Sequence, residues 1–333
     1  GTPAEPETPL DADTTHTIES DAPEADAPGE SDTADSDTDR EATTPEELSA
    51  ALAAAFLTVA VPPVADAQSA RQMRQEVEAS MLVTGHVDIA LDGSVTAQTL
   101  DQPDKLPDYV VQLIERVVPT LRFEPVLVDG SPVLARAKMS LLLVAKPAGD
   151  GSMDIAIKSA NFGEEYDPDD TGRVQSIEMV PPRYPMNIAQ MGGKGTVYLL
   201  VKVGRDGRVD DVIAEQTNLT VLGNASQMQA IRRGLEKAAV DRARQWTFAP
   251  PTTGDAASND YWVIRVPVDF SLTDSGRLPP GPAYGQWVGY VPGVQSRPVW
   301  AMPDPPGFTP DALAAGGVHQ GASRFRLLTP LDG

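Results

Sequence analysis

Across 333 residues the chain has no cysteine. Disulfides, thiolate zinc sites and cysteine nucleophiles are therefore excluded, an absence that suits an oxidising compartment without requiring one. Histidine is nearly missing: His16 sits in an acidic run, His86 in an alternating apolar stretch and His319 in a glycine-rich end. Alternation places His86 on a polar, solvated face. No HExxH, GxSxG, P-loop or dinucleotide fingerprint occurs, and no carboxylate spacing marks an acid-base pair. The expectation is a non-enzyme with no catalytic residue, no metal site and no cofactor. Positive charge is scarce as well, 26 Lys and Arg against 48 Asp and Glu for a net −22. Such a surface repels phosphate backbones and argues against nucleic acid as a partner.

The negative charge is unevenly placed. Residues 1–47 hold 16 of the acidic side chains against the single Arg40, which leaves 32 acidic and 25 basic groups in the rest. That first segment has too few large apolar groups to offset chain entropy and is expected to be disordered. The run Asp32 to Asp39 offers oxygen ligands, but no Asp-x-Asp-x-Asp-Gly loop fixes a calcium sphere. Residues 48–67, LSAALAAAFLTVAVPPVADA, are different: apolar throughout and ending in the small-x-small Ala65-Asp66-Ala67. They read first as a secretory signal cleaved near Gln68, ahead of a transmembrane anchor and of a buried or peripheral helix. Against the signal stands the acidic, not basic, stretch that precedes it.

The most ordered pattern runs from Arg183 to Phe270. Val197, Leu199, Val201 and Val203 alternate with Tyr198, Leu200 and Lys202, as in a strand with one face in a core. Arg205-Asp206-Gly207 supplies a tight reversal, and a second strand follows at about Val209 to Glu215. From Ser226, Met228, Ile231, Leu235, Ala238, Ala239, Ala243 and Trp246 recur every three or four residues, one apolar stripe of a helix that Asn224 or Ser226 could cap. Pro250 and Pro251 bar a return to helix. Trp262, Ile264, Val266, Val268 and Phe270 then alternate as a returning strand. Hairpin, helix and strand make an α+β unit.

A weaker copy precedes it. Val83, Gly85, Val87, Ile89 and Leu91 alternate, Asp92-Gly93 turns the chain, and Val110, Leu113, Val117 and Leu121 form a helical stripe. Phe123-Glu124-Pro125 answers Phe248-Ala249-Pro250, and Val133, Ala135, Ala137, Met139, Leu141 and Leu143 return as a strand. The expected organisation is therefore a divergent repeat over 75–163, an Asp167-to-Asp170 linker, a second domain over 172–273 and a tail over 274–333. Phe123, Trp246, Phe248, Gly93 and Gly207 are the expected structural residues.

Tyr184-Pro185, Ala189, Gly195, Asp206-Gly207 and Trp246-Thr-Phe248-Ala-Pro250 together closely resemble the C-terminal domain of TonB-type energy transducers. The resemblance implies a cell-envelope protein that captures an extended peptide, the TonB box of an outer-membrane receptor, and that couples to inner-membrane proton-driven motor proteins. It implies a location in the periplasm, or anchored in the inner membrane and facing it, in a Gram-negative bacterium. The peptide would add as a strand to an open sheet edge, here Tyr261 to Ser271 with Val263, Ile264, Arg265, Val266 and Val268. Pro267 fits an edge strand, and Arg265, Pro267 and Asp269 share a face that could blunt it. Pro181, Pro182, Arg183 and Tyr184 complete the expected contact set. Pro181 stands where the family commonly has a glutamine, a departure from standard receptor recognition. Leu121 replaces the tryptophan in the first copy, and no Tyr-Pro precedes it. A folded repeat in place of a long spacer keeps open a second reading, a soluble periplasmic binding or scaffold protein without a motor. The tail, rich in Pro and Gly with Tyr284, Trp287, Tyr290, Trp300 and Phe308, reads as an extended lid ahead of a polyproline ligand, with a short strand within Ser323 to Leu328.

Overall fold

The computed structural model describes residues 77–147, 153–165, 167–271, 283–314, 316–320 and 323–331, together with Leu52, Ala54 and Ala55. The acidic segment 1–47 and the remainder of 48–67 lie outside the described residues.

The fold is α+β, built from antiparallel sheets with few helices. The first half opens with strand β1 (Glu78–Ile89) and its hairpin partner β2 (Val95–Leu100), followed by helix α1 (Asp108–Val117). A small β3 (Leu127–Val128) and β4 (Ser131–Pro132) pair precedes the long strands β5 (Ala135–Pro147) and β6 (Met153–Gly163). The sheet runs β2-β1-β5-β6. Along β1 every second side chain from Ala79 to Ile89 is inward. Leu91, expected to continue that face, is half exposed because the turn has already begun at Ala90. The helix buries Val110 as expected and Ile114 in addition, with Val118 just beyond, while Leu113 and Val117 pack half-buried against the same core. Pro119 ends the helical register there, so Leu121 reaches the core from extended backbone.

The second half begins with β7 (Gln175–Glu178) and the short helix α2 (Met186–Gln190). The central strand β8 (Gly195–Gly204) pairs with β9 (Val209–Leu219), and helix α3 (Ala225–Ala243) covers one face. β10 (Thr247–Ala249) leads to β11 (Tyr261–Phe270), which pairs with β8 over its whole length. Asn224 caps α3: its side chain accepts from the Gln227 amide at 2.9 Å while Gln227 accepts from the Asn224 amide at 3.0 Å, satisfying two otherwise orphaned donors. Met228, Ile231, Leu235, Ala239 and Ala243 form the buried stripe. Burying side chains of this size contributes roughly 1.5–3 kcal/mol for each larger one.

The halves share their connectivity and one detail of their turns. Gly207 has φ of 77° and Gly93 φ of 82°, a region open to glycine and costly for other residues. Each glycine carbonyl accepts the amide of a buried phenylalanine at 2.8 Å, Phe248 in one half and Phe123 in the other.

Both faces of β8 are buried, not one. Tyr198 and Leu200 point away from α3 yet are 8 and 0% exposed. The cause is the tail, which runs as a strap over both sheets. Its strand β12 (Val288–Tyr290) pairs with the start of β1, and the next residue, Val291, bridges Leu219 of β9. Ala312 packs on Leu142 and Val144 of β5. A final strand β13 (His319–Gln320) lies on β11. Leu327 bridges Phe123 as a single pair, so the strand expected within 323–328 is one residue of pairing. Between strap and sheets remains a cavity of about 430 Å³ lined by Tyr198, Asn218, Pro267, Tyr284 and Asp311 among others.

The strap start is held electrostatically. Glu78 meets Lys146 at 3.0 Å, Lys158 at 3.1 Å and the Tyr290 hydroxyl at 3.0 Å. Burial opposes ionisation of Glu78, but Lys146 and Lys158 outweigh it and hold the carboxyl below its ordinary 4.5. A folded state that takes up this proton less readily than the unfolded chain is stabilised above pH 4.5 and loses that stability as the pH falls through the lowered value. Protection factors of the Val288–Tyr290 amides, which correct exchange for its intrinsic pH dependence, are therefore expected to fall once the pH drops under 4.5, and Glu78→Gln is expected to flatten that dependence. An unchanged profile in the variant would refute the role of Glu78.

Candidate docking edge

β11 carries the candidate residues and owes its position to its two faces. Trp262, Ile264, Val266, Val268 and Phe270 all enter the second core beneath α3. Val263, Arg265, Pro267 and Asp269 point the other way, and of these only Asp269 is exposed. On one flank the strand is paired from Tyr261↔Gly204 to Phe270↔Gly195. On the other flank the described residues pair only at Ile264↔Gln320 and Arg265↔His319. The expectation of a wholly open flank thus fails at its centre, where the chain's own strap is seated. Either side of those two pairs the described strand has no ladder partner on that flank.

Arg265 does not blunt the edge with exposed charge. It is 4% exposed and donates to both oxygens of Glu215 on β9, at 2.7 and 2.8 Å. Its Nη2 also meets Asp304 of the strap at 2.5 Å, and the Phe308 ring lies 4.7 Å from the guanidinium. Burial works against the Arg265 cation, while Glu215 and Asp304 more than offset it and raise its pKa. Asp304 is itself pushed up, by burial first and by Glu215, against the opposing pull of Arg265 and Arg297. A bidentate guanidinium pair of this kind fixes geometry as well as charge. Glu215 and Asp304 were invisible as partners in the sequence. The one available signal is that Glu215, Gln216, Thr217 and Asn218 are consecutive polar residues in a strand, and all four are buried. The strand also runs to Leu219, beyond its expected end at Glu215.

The segment ahead of Tyr184 meets this strand at one point. Tyr184 packs edge-on against Phe270, ring centroids 5.6 Å apart, and donates from its hydroxyl to the Gly193 carbonyl. Pro181 and Arg183 are exposed and Pro182 half-buried. The backbone here is pinned from the end of α3: Trp246 Nε1 donates to the Val180 carbonyl at 2.9 Å and Arg242 Nε to that of Pro181 at 3.4 Å. Val263, Ile264, Arg265, Val266 and Val268 are therefore gathered on one strand, while Val180 and Pro181 are tied to the helix terminus. Trp246→Phe removes one hydrogen bond and part of a buried ring, so a loss of roughly 1–3 kcal/mol is expected in urea denaturation. A neutral result would mean that water replaces the bond at no cost.

His86 lies on the outer face of β1 as expected, partly exposed, with Nε2 3.0 Å from Glu165. Glu165 also accepts from Lys138 at 2.9 Å.

Comparison with known proteins finds matches that include residues 180–272. Residues 180–272 match the family model described as Gram-negative bacterial TonB protein C-terminal. Protein TonB of Xanthomonas campestris pv. campestris strain B100 is 34% identical over 100 residues, 30% of this chain and 38% of that protein. Protein tonB2 of Pseudomonas aeruginosa is 33% identical over 91 residues, 27% of this chain and 28% of that protein. The chain thus spans well under half the length of these relatives. No solved structure matches it significantly.

Proposed function

We propose that, with residues 180–272 as a TonB C-terminal domain, the chain is a TonB-like cell-envelope protein that binds an extended segment of an outer-membrane receptor along β11. The observation that carries this reading is the coincidence of the family match with a strand that is fully paired on one flank and paired at only two residues on the other. Strand addition needs such a flank, because main-chain hydrogen bonds supply the affinity. The first half, with the same connectivity and the same glycine-to-phenylalanine turn contact, reads as a divergent copy that supports the second. In this reading the motor partners and the receptor are those of the TonB family, and no covalent chemistry is assigned.

A second reading, a periplasmic binding or scaffold protein without a motor, is favoured by one observation. Leu52 and Ala55, inside the apolar segment 48–67, are helical and buried in the first core at 0 and 2% exposure. Side chains committed to a core are not free to face lipid.

Photo-crosslinking from position 263 in native cells tests the first reading. Adducts with TonB-dependent receptors are expected. Adducts confined to soluble periplasmic proteins would favour the second. Cell fractionation with mass spectrometry of the mature N-terminus decides anchorage: a product that retains residues 48–67 and is released with the periplasm would exclude both a cleaved signal near Gln68 and an anchored motor.

A further inference from the structure

The strap's β13, His319–Gln320, sits where a docking peptide would add, and three features make it displaceable. It is bounded by firm anchors. Before it, Asp311, Ala312 and Leu313 are buried, Asp311 receiving Gln216, Asn218 and Tyr290 at 3.4–3.5 Å. After it, Phe325 and Leu327 are buried, and the backbone of Arg326 and Leu328 pairs with Glu124 and Arg122. β13 lies between these two anchors, each held by contacts of its own.

Its own hold is slight. Two residues pair with β11, and Val318 is the one apolar side chain of 316–320 packed against the second core. Gly316, Gly317 and Gly321 flank it in sequence, residues that contribute no side-chain packing. A cleft of about 410 Å³ also opens beside it, walled by Asn161 to Glu164, Arg173 to Ser176 and the strap itself, so one side of β13 faces open space.

We infer that β13 is an internal stand-in for the docking peptide: it covers the centre of the β11 edge and must leave before a foreign strand can pair along the full length. The inference rests on the docking reading above. It also narrows the partner's chemistry to an extended peptide that places an apolar residue where Val318 now packs, with small or flexible neighbours beside it. Because only the released fraction of molecules binds, the apparent affinity is reduced by that fraction.

Full-length variants test this with synthetic TonB-box peptides of outer-membrane receptors and with the free peptide of sequence 314–323 as probes, binding being read by calorimetry. The chain has no natural cysteine, so Ile264→Cys with Gln320→Cys places a single cross-strand pair at directly opposed positions, within the Cα separation that a disulfide spans. Oxidation is expected to weaken binding roughly tenfold or more and reduction to restore it. Because Ile264 is a core residue, His319→Pro with Gln320→Pro serves as an independent variant. It removes both amide donors of β13 and is expected to tighten binding roughly tenfold or more over the natural chain. Equal affinity of oxidised and reduced forms, with no gain from the proline variant, would overturn the stand-in role and leave docking intact. Failure of every form, the proline variant included, to bind either probe would overturn the docking reading and the stand-in with it.

Discussion

Arg265→Met is expected to lower the stability of the full chain by about 3–5 kcal/mol, the range for breaking a buried ion pair from one side. The methionine fills much of the space, so the loss is electrostatic. Glu215, with a side chain 0% exposed, would lose the guanidinium that meets both its oxygens, and Asp304, 11% exposed, would lose its 2.5 Å contact. Because Asp304 belongs to the strap, the second consequence is a strap loosened at its middle, visible as faster amide exchange around Asp304 and at Gln320. Pairing the change with Glu215→Leu is expected to recover a large part of the loss, since replacing both members of a buried pair by apolar groups is often close to neutral. Equilibrium denaturation of the two variants measures both numbers. A single variant within about 1 kcal/mol of the natural chain would mean that water solvates the pair, contrary to its burial.

Gly207→Ala carries the other large expectation, about 3 kcal/mol or more. A β-carbon there would stand 2.0 Å from the Phe248 carbonyl oxygen, at a φ of 77°. The obstacle is backbone, and it belongs to the strand that leads Trp246 and Phe248 into the core, so the turn cannot shift without dragging the helix terminus. Gly93→Ala meets the same geometry, 1.9 Å from the Phe123 carbonyl oxygen, and a loss of similar size is expected. Comparable losses from both would bear on the repeat as well as on stability: two turns far apart in sequence would be solving one packing problem in one way. If Gly93→Ala is tolerated while Gly207→Ala is not, the likeness of the halves is confined to connectivity. Thermal unfolding of each variant separates these outcomes.

How far the fold was legible depended on where each strand's second face goes. β8, β11 and α3 are readable because hydrophobic period two and period 3.6 are local properties, and Asn224, Asp206-Gly207 and Pro250 punctuate them. The burial of Tyr198, Leu200, Arg265 and Pro267 is not local. It comes from a strap more than thirty residues downstream of most of them, whose proline- and glycine-rich composition has no periodicity from which to read pairing. Its aromatics gave the one usable hint, since Tyr284, Trp287 and Tyr290 are too apolar to be left in water, and they do pack as a lid. The buried ionic group escaped notice for a related reason. Glu215, Arg265 and Asp304 are each ordinary in sequence, and only the β8-centred sheet together with the strap brings them within 3 Å. The position of the candidate edge was therefore legible, while its partial occupancy by β13 was not.

Backbone NMR of the proline-substituted full chain, recorded while a TonB-box peptide is added, tests the docking edge most directly. Shifts and new amide protection concentrated in residues 261–271, with Val263 to Val268 most affected, are the expected result. Spectra that stay unchanged at millimolar peptide, or shifts confined to residues away from β11, would contradict it.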